Sequence, residues 1–119
     1  MKELHKVVHQ GKTIFIIDLS FANPAEAMAI MHDAEPKIAA CPPKSVLMLT
    51  DVTKATYNQE SAAELKRYAA ANTPYVRGSA VVGSEGLHRV LLMAVQLLTR
   101  REIRAFADRE AALNWLASL

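Results

Sequence analysis

Three short apolar runs without alternation, IFII at residues 14–17, VLMLT at 46–50 and AVV at 80–82, limit most strongly what this chain can become. A strand with one face in water alternates apolar with polar residues, whereas a continuous run fits a strand covered on both faces. The stretches between the runs carry apolar residues spaced by three and four, and each is long enough for a helical crossover between parallel strands. The chain therefore reads as α/β.

The rest of the order follows from local signals. Val7 and Val8 precede Gln10 and Gly11, which predicts a hairpin into IFII. Asn23, Pro24 and Glu26 give a helix start with a cap, a proline at the first helical position and a reciprocal acidic side chain. That helix would bury Ala27, Met28, Met31 and Ala34, with His32 opposite. It should kink or stop at Pro36 and end by Pro42 and Pro43. A second helix from about Asn58 carries Ala62, Leu65, Tyr68 and Ala69 on one side and ends at Thr73 and Pro74. A third, from near Ser84 to near Thr99, would turn Leu87, Val90, Leu91, Ala94, Leu97 and Leu98 to the core. In the strand that follows, Ile103 and Ala105 face one way and Arg104 and Phe106 the other. Asp108 caps a last helix on which Ala112, Trp115, Leu116 and Leu119 share a face, so most of the Trp115 ring should be buried. The expectation is one domain over residues 1–119, with the order β-β-α-β-α-β-α-β-α: about five strands in a mixed, mostly parallel sheet, and about four helices.

Composition narrows the function classes. With 119 residues, 51% hydrophobic and 22% charged, the chain has material for one sizeable core and none for two. The net charge of +2 is scattered, which gives nucleic acid no support as a partner. Thr99, Arg100, Arg101 and Arg104 form the nearest basic cluster, read either as solvated surface between elements or as an anion or partner contact. A single cysteine, Cys41, excludes an internal disulfide, fits a reducing compartment and suits a small, buried or half-buried position near a helix end. The opening MKELHKVVHQGK is charged where a secretory leader needs apolar residues, and LLMAVQLL is too short to span a bilayer, so a cytoplasmic protein is expected.

Asp18 and Asp51 close the first two central strands, where side chains converge on the crevice in which open α/β sheets take ligands. Two carboxylates there can act as acid and base, hold a divalent metal, or simply accept amide hydrogen bonds and fix the following turns. No histidine follows at ligand spacing: His5, His9, His32 and His88 assemble no site, and neither a metal nor a cofactor is expected. Gly83, Ser84 and Gly86 precede a helix, so they can either seat an anion on its free amides or cap and turn the chain. The loop lacks the lysine and spacing of a nucleoside-triphosphate loop. Tyr57 and Tyr75, both in loops, are candidates to line a crevice near Asp51 and Gly83. Met28, Met31, Leu92 and Met93 exceed one clean core stripe and leave apolar side chains for a ligand or a second copy.

The order of elements, the strand-closing aspartates, the stretch TPYVRGSAVVG and the ending AFADREAALNWL together resemble the STAS-like family. These are small proteins related in fold to bacterial anti-sigma-factor antagonists and sometimes grouped with lipid-transfer domains. Phe106, Asp108, Ala112, Trp115 and Leu116 carry the likeness at the C-terminal end. The resemblance implies a STAS-like fold but no activity of its own. In the antagonists a serine at the start of the helix after the second central strand is phosphorylated by a partner kinase. The matching region here is TYNQESAAEL, where Asn58, Gln59 and Glu60 replace the Asp-Ser pair and Ser61 is the one serine. Ser61 is thereby the candidate phosphorylation site.

A non-enzymatic regulatory module that binds an unidentified protein, or a second copy of itself, is the first expectation. A binding domain for a lipid or other small apolar anionic ligand near Asp18, Asp51 and Ser84 is the alternative. An enzyme built on the two aspartates ranks below both.

Overall fold

The computed structural model describes residues 4–84 and 87–119. Strands β1 (His5–His9) and β2 (Lys12–Asp18) form the antiparallel hairpin, with His9 opposite Lys12. Gln10 and Gly11 both have positive φ, 50° and 79°, as the tight turn that continues the strand twist requires. Helix α1 (Pro24–Ala39) then leads to β3 (Val46–Asp51), α2 (Gln59–Asn72) to β4 (Val76–Val82), α3 (Leu87–Thr99) to β5 (Ile103–Phe106), and α4 (Arg109–Ala117) closes the order. The sheet runs β1-β2-β3-β4-β5, and every pair after the hairpin is parallel. This is the expected order and sheet type.

The start of α1 forms as its residues predict. Asn23 accepts from the Glu26 amide and Glu26 reaches back to the Asn23 amide. The helix does not stop at Pro36 but runs on to Ala39. Proline deprives the last turn of one hydrogen bond, while Ile38, fully buried, anchors that turn to the core. Cys41 lies half-buried just beyond, its thiol directed at the Lys37 carbonyl.

Strand alternation splits the core in two. Phe15, Ile17, Val46, Met48 and Val76 face α1 and α2, whereas Ile14, Ile16, Leu47, Leu49 and Val82 face α4. A smaller cluster of Ala69, Val95 and Ile103 joins α2, α3 and β5. Trp115 packs on Phe106 at 5.7 Å between ring centroids, lies under the Arg104 guanidinium and is mostly buried against the α4 side of the core, as its helical face predicts.

The face of α3 differs from the expected one. Val95 is the residue that enters the core and Leu91 and Leu92 are half-buried, while Val90, Met93, Leu97 and Leu98 face solvent, Leu97 with 81% of its surface exposed. The helix is clearly amphipathic, but Gln96 and Thr99 of its polar side turn inward, Gln96 donating to the Ile103 carbonyl, and much of its apolar arc is left at the surface.

Gly83 ends β4 at φ 83°, and a Cβ there would lie 2.7 Å from Thr53 Cα and 2.8 Å from Thr53 N. Gly11 has a similar φ but open space around it. Gly11→Ala should therefore lose only the conformational preference, about 1 kcal/mol, and Gly83→Ala about 3 kcal/mol because backbone must also move. Urea unfolding of the two variants checks this, and equal losses would show that the Thr53 backbone yields without cost.

Candidate functional site

At the C-terminal ends of β2 and β3 the aspartates lie side by side, Asp18 in register with Asp51. Each fixes its own turn. Asp18 accepts from the Ser20 amide at 3.0 Å and the Ser20 hydroxyl at 2.5 Å, and Asp51 accepts from the Thr53 amide at 2.9 Å. Both follow the α4-facing positions of their strands, and Arg109, the first residue of α4, reaches across them. Its Nε donates to Asp51 Oδ2 at 2.8 Å, and its terminal nitrogen lies 3.4 Å from Asp18 Oδ2. Burial alone would raise the Asp51 carboxyl, but the Thr53 hydrogen bonds and the Arg109 guanidinium outweigh it and hold the group below its ordinary range.

The crevice expected beside these aspartates needs a reversal in strand order, with helices leaving to opposite faces. Here the order advances in one direction, so no such reversal exists. Tyr57 and Tyr75 are not brought together either. Tyr57 follows β3 at the C-terminal end of the sheet, whereas Tyr75 precedes β4 at the other end and packs on the α1 and α2 core. Gly83 turns the chain against Thr53, and Ser84 is buried at the rim of a cavity described below. Gly86 and the side chain of His88 lie outside the described residues.

Ser61 sits in the first turn of α2, 3% exposed, and its hydroxyl is part of the cap. Ser61 Oγ accepts from the Asn58 amide at 3.0 Å, while the Ser61 amide donates to Asn58 Oδ1 at 2.8 Å. Reaching that hydroxyl requires the cap to open. Among the described residues no three of His, Cys, Asp and Glu gather as a metal site would need.

A different site lies on the opposite face of the sheet from the aspartates. Between α2, α3 and strands β3 to β5 is a cavity of about 80 Å³ whose walls include Met48, Val81, Leu91, Leu92, Val95 and Ile103. A smaller hollow of about 40 Å³ shares Val52, Leu65 and Leu91 with it and extends toward Tyr57 and Ser61. The walls are apolar except where Tyr68, Asn72, Ser79, Ser84, Arg101 and Thr50 reach in. Tyr68 and Asn72 stand one turn apart on α2, 3% and 1% exposed. Arg101 donates to Ser79 Oγ at 2.9 Å and to the Ala69 carbonyl at 3.3 Å, which pins its guanidinium beside that turn.

Among the described residues, Tyr68 Oη, Asn72 Nδ2 and Arg101 Nε are buried and have no hydrogen-bond partner. Burial pushes the Tyr68 phenol well up, while the Asn72 side chain, close to the phenol but short of hydrogen-bond geometry with it, and the Arg101 charge pull the other way. Burial lowers the pKa of Arg101, and its hydrogen-bond partners, the Ser79 hydroxyl and the Ala69 carbonyl, are neutral. Sequence reasoning placed Tyr68 in the core stripe of α2 and read the cluster holding Arg101 either as solvated surface or as an anion or partner contact. The signal that could have found the site was Arg101 itself, a cation two residues before a core-directed strand.

Two outcomes test these assignments. Arg109→Met should cost about 1–3 kcal/mol at pH 7, less than a fully buried pair because Arg109 is 40% exposed, and it leaves two adjacent carboxylates unneutralised. The Asp51 contribution is present above the ordinary carboxylate range and is lost as pH falls through the depressed pKa. Stability curves of parent and variant should thus converge on acidification, and a gap independent of pH would count against the clamp. Tyr68→Phe should leave stability unchanged or raise it by about 1 kcal/mol, since it removes a buried hydroxyl without a partner. A loss of that size would mean that the hydroxyl is satisfied.

Residues 16–117 match the SpoIIAA-like family. The fold is similar to the crystal structure of an uncharacterized protein of the DUF3478 family with a SpoIIAA-like fold from Shewanella loihica PV-4. That likeness has a TM-score of 0.75 at 15% identity and covers 98% of this chain and 95% of that one. No curated protein matches the sequence. With the matched segment spanning β2 to α4 and the hairpin strand completing the same sheet, this chain belongs to the SpoIIAA-like family.

Proposed function

We propose that this chain is a non-enzymatic binding module whose working part is the cavity between α2, α3 and the sheet, and that it takes a small apolar anionic ligand. The observation that carries the reading is a void walled by apolar side chains with unsatisfied buried donors at its edge. A core closed only for stability would fill the space or pair those groups. Ser84 belongs to this site, and Tyr57 lies at the far end of the adjoining hollow. The aspartates do not face it: they are held by Arg109 on the other side of the sheet, a poor arrangement for an acid and base pair.

A second reading rests on the outer face of α3, where Val90, Met93, Leu97 and Leu98 stand exposed together. An apolar stripe of that kind suits a protein partner, a second copy of the chain included. The two readings are compatible, because the helix that closes the cavity also carries the stripe. A switch at Ser61 would act on the same region, since its cap lines the hollow under Leu65 and Leu91.

Native mass spectrometry of the purified protein, together with thermal melts in a panel of aliphatic acids, tests the main reading. A bound small molecule, or a melting temperature that rises with ligand concentration, is the expected result. Ala69→Leu, which places a larger side chain on the cavity wall, should abolish the rise. No retained mass and no shift with any acid would end the proposal.

A further inference from the structure

We infer that the polar end of the cavity, made by Tyr68, Asn72 and Arg101, is a seat for a single carboxylate, and that the ligand is a short-chain aliphatic monocarboxylic acid. The inference rests on the binding reading above and goes beyond it by naming the head group, its partners and the ligand size.

The three groups share one chemical character. A phenol, a primary amide nitrogen and a guanidinium Nε all present hydrogen to an acceptor, and all three are buried at the wall of one cavity without a partner among the described residues. Left alone, each costs the desolvation of a polar group, and Arg101 adds a charge whose hydrogen-bond partners, Ser79 and the Ala69 carbonyl, are neutral. One anion with several acceptor lone pairs satisfies all three at once.

Charge and volume select among anions. A phosphate monoester carries about −1.5 to −2 at neutral pH and would be under-compensated by one guanidinium, whereas a carboxylate carries one charge and matches it. Arg101 spends one N–H of each terminal nitrogen on Ser79 and Ala69, and its unpartnered Nε gives a hydrogen bond to the anion, with Tyr68 and Asn72 supplying others. The apolar part is small. At about 80 Å³, with about 40 Å³ adjoining, it is below the ~150 Å³ of an engineered cavity that holds benzene. A short alkyl chain fits these walls without displacing α3, and a long acyl chain does not.

Pentanoate, its uncharged counterpart pentan-1-ol, palmitate and inorganic phosphate are the probes, titrated into the full chain and followed by amide and side-chain NH resonances in two-dimensional NMR. Pentanoate should shift the Asn72 side-chain amide and the Arg101 Nε resonance and bind at least tenfold more tightly than pentan-1-ol. Arg101→Met should bring the two probes to the same affinity. Tyr68→Phe, which removes a hydroxyl without a well-formed hydrogen bond among the described residues, should weaken pentanoate several-fold and leave pentan-1-ol unaffected, so the test survives if the arginine variant does not fold. Equal binding of pentanoate and pentan-1-ol in the parent protein overturns the carboxylate seat while leaving the cavity as a binding site. Phosphate moving the same resonances as strongly overturns the choice of head group, and palmitate binding more tightly than pentanoate overturns the choice of size. Entry of none of the probes overturns this inference and the cavity reading together.

Discussion

The one-directional advance of the strands governs most of what is unusual in this molecule. Each right-handed crossover moves to the next strand on the same side, so α1, α2 and α3 all lie on one face. α1 and α2 cover the centre of the sheet and pack tightly on each other. α3 is left over the edge, above β4 and the four-residue β5, with one neighbouring helix and no strand beyond. A 13-residue apolar helix in that place cannot bury all its side chains. The cavity beneath it and the exposed leucines above it are two consequences of the same crowded topology.

The other face depends on α4 alone. That helix buries Ala112, Leu116 and Ala117, and its first residue sits where β2 and β3 end in carboxylates. Two adjacent aspartates would repel without a cation between them, and Arg109 supplies it from the far end of the chain. Lys12 adds a contact at the opposite end of the helix, donating to the Leu119 carbonyl. α4 is thus fixed at both ends by charge-assisted contacts and along its length by packing, unlike α3, which closes the domain on the other side.

Much of this architecture was legible in the sequence because its causes are local. Gln10 with Gly11, Asn23 with Glu26, and Asp108 as a cap each act within a few residues, and the structure forms each feature as read. The face of α3 was misread, because its amphipathic pattern points an apolar arc at the core while the packing takes Gln96 inward to the Ile103 carbonyl. The partnership of Arg109 with Asp18 and Asp51 was hidden for a related reason: the aspartates announce strand ends, but nothing in the local sequence says which cation reaches them. Charge left Arg101 undecided, since an arginine in that cluster reads either as solvated surface or as an anion or partner contact. Its side chain instead folds back under α3 to meet Ser79 and the α2 backbone.

That difference between the two cations bears on function. Arg109 is neutralised twice, and its removal should register as lost stability. Among the described residues Arg101 is held by neutral groups, with its Nε and two nearby buried donors left over, which is a cost the fold carries without any evident return in packing. Polar groups kept in a buried site at a net cost are better explained by something that enters the site than by the empty fold. The same reasoning ties the cavity to the surface. A ligand that satisfies Tyr68, Asn72 and Arg101 tightens α2 against the Arg101 segment that follows α3, and so favours one position of the helix whose outer stripe faces solvent. Occupancy and the presentation of Val90, Met93, Leu97 and Leu98 then become linked through α3, and the linkage must run both ways: whatever covers the stripe in that position strengthens ligand binding by the same factor.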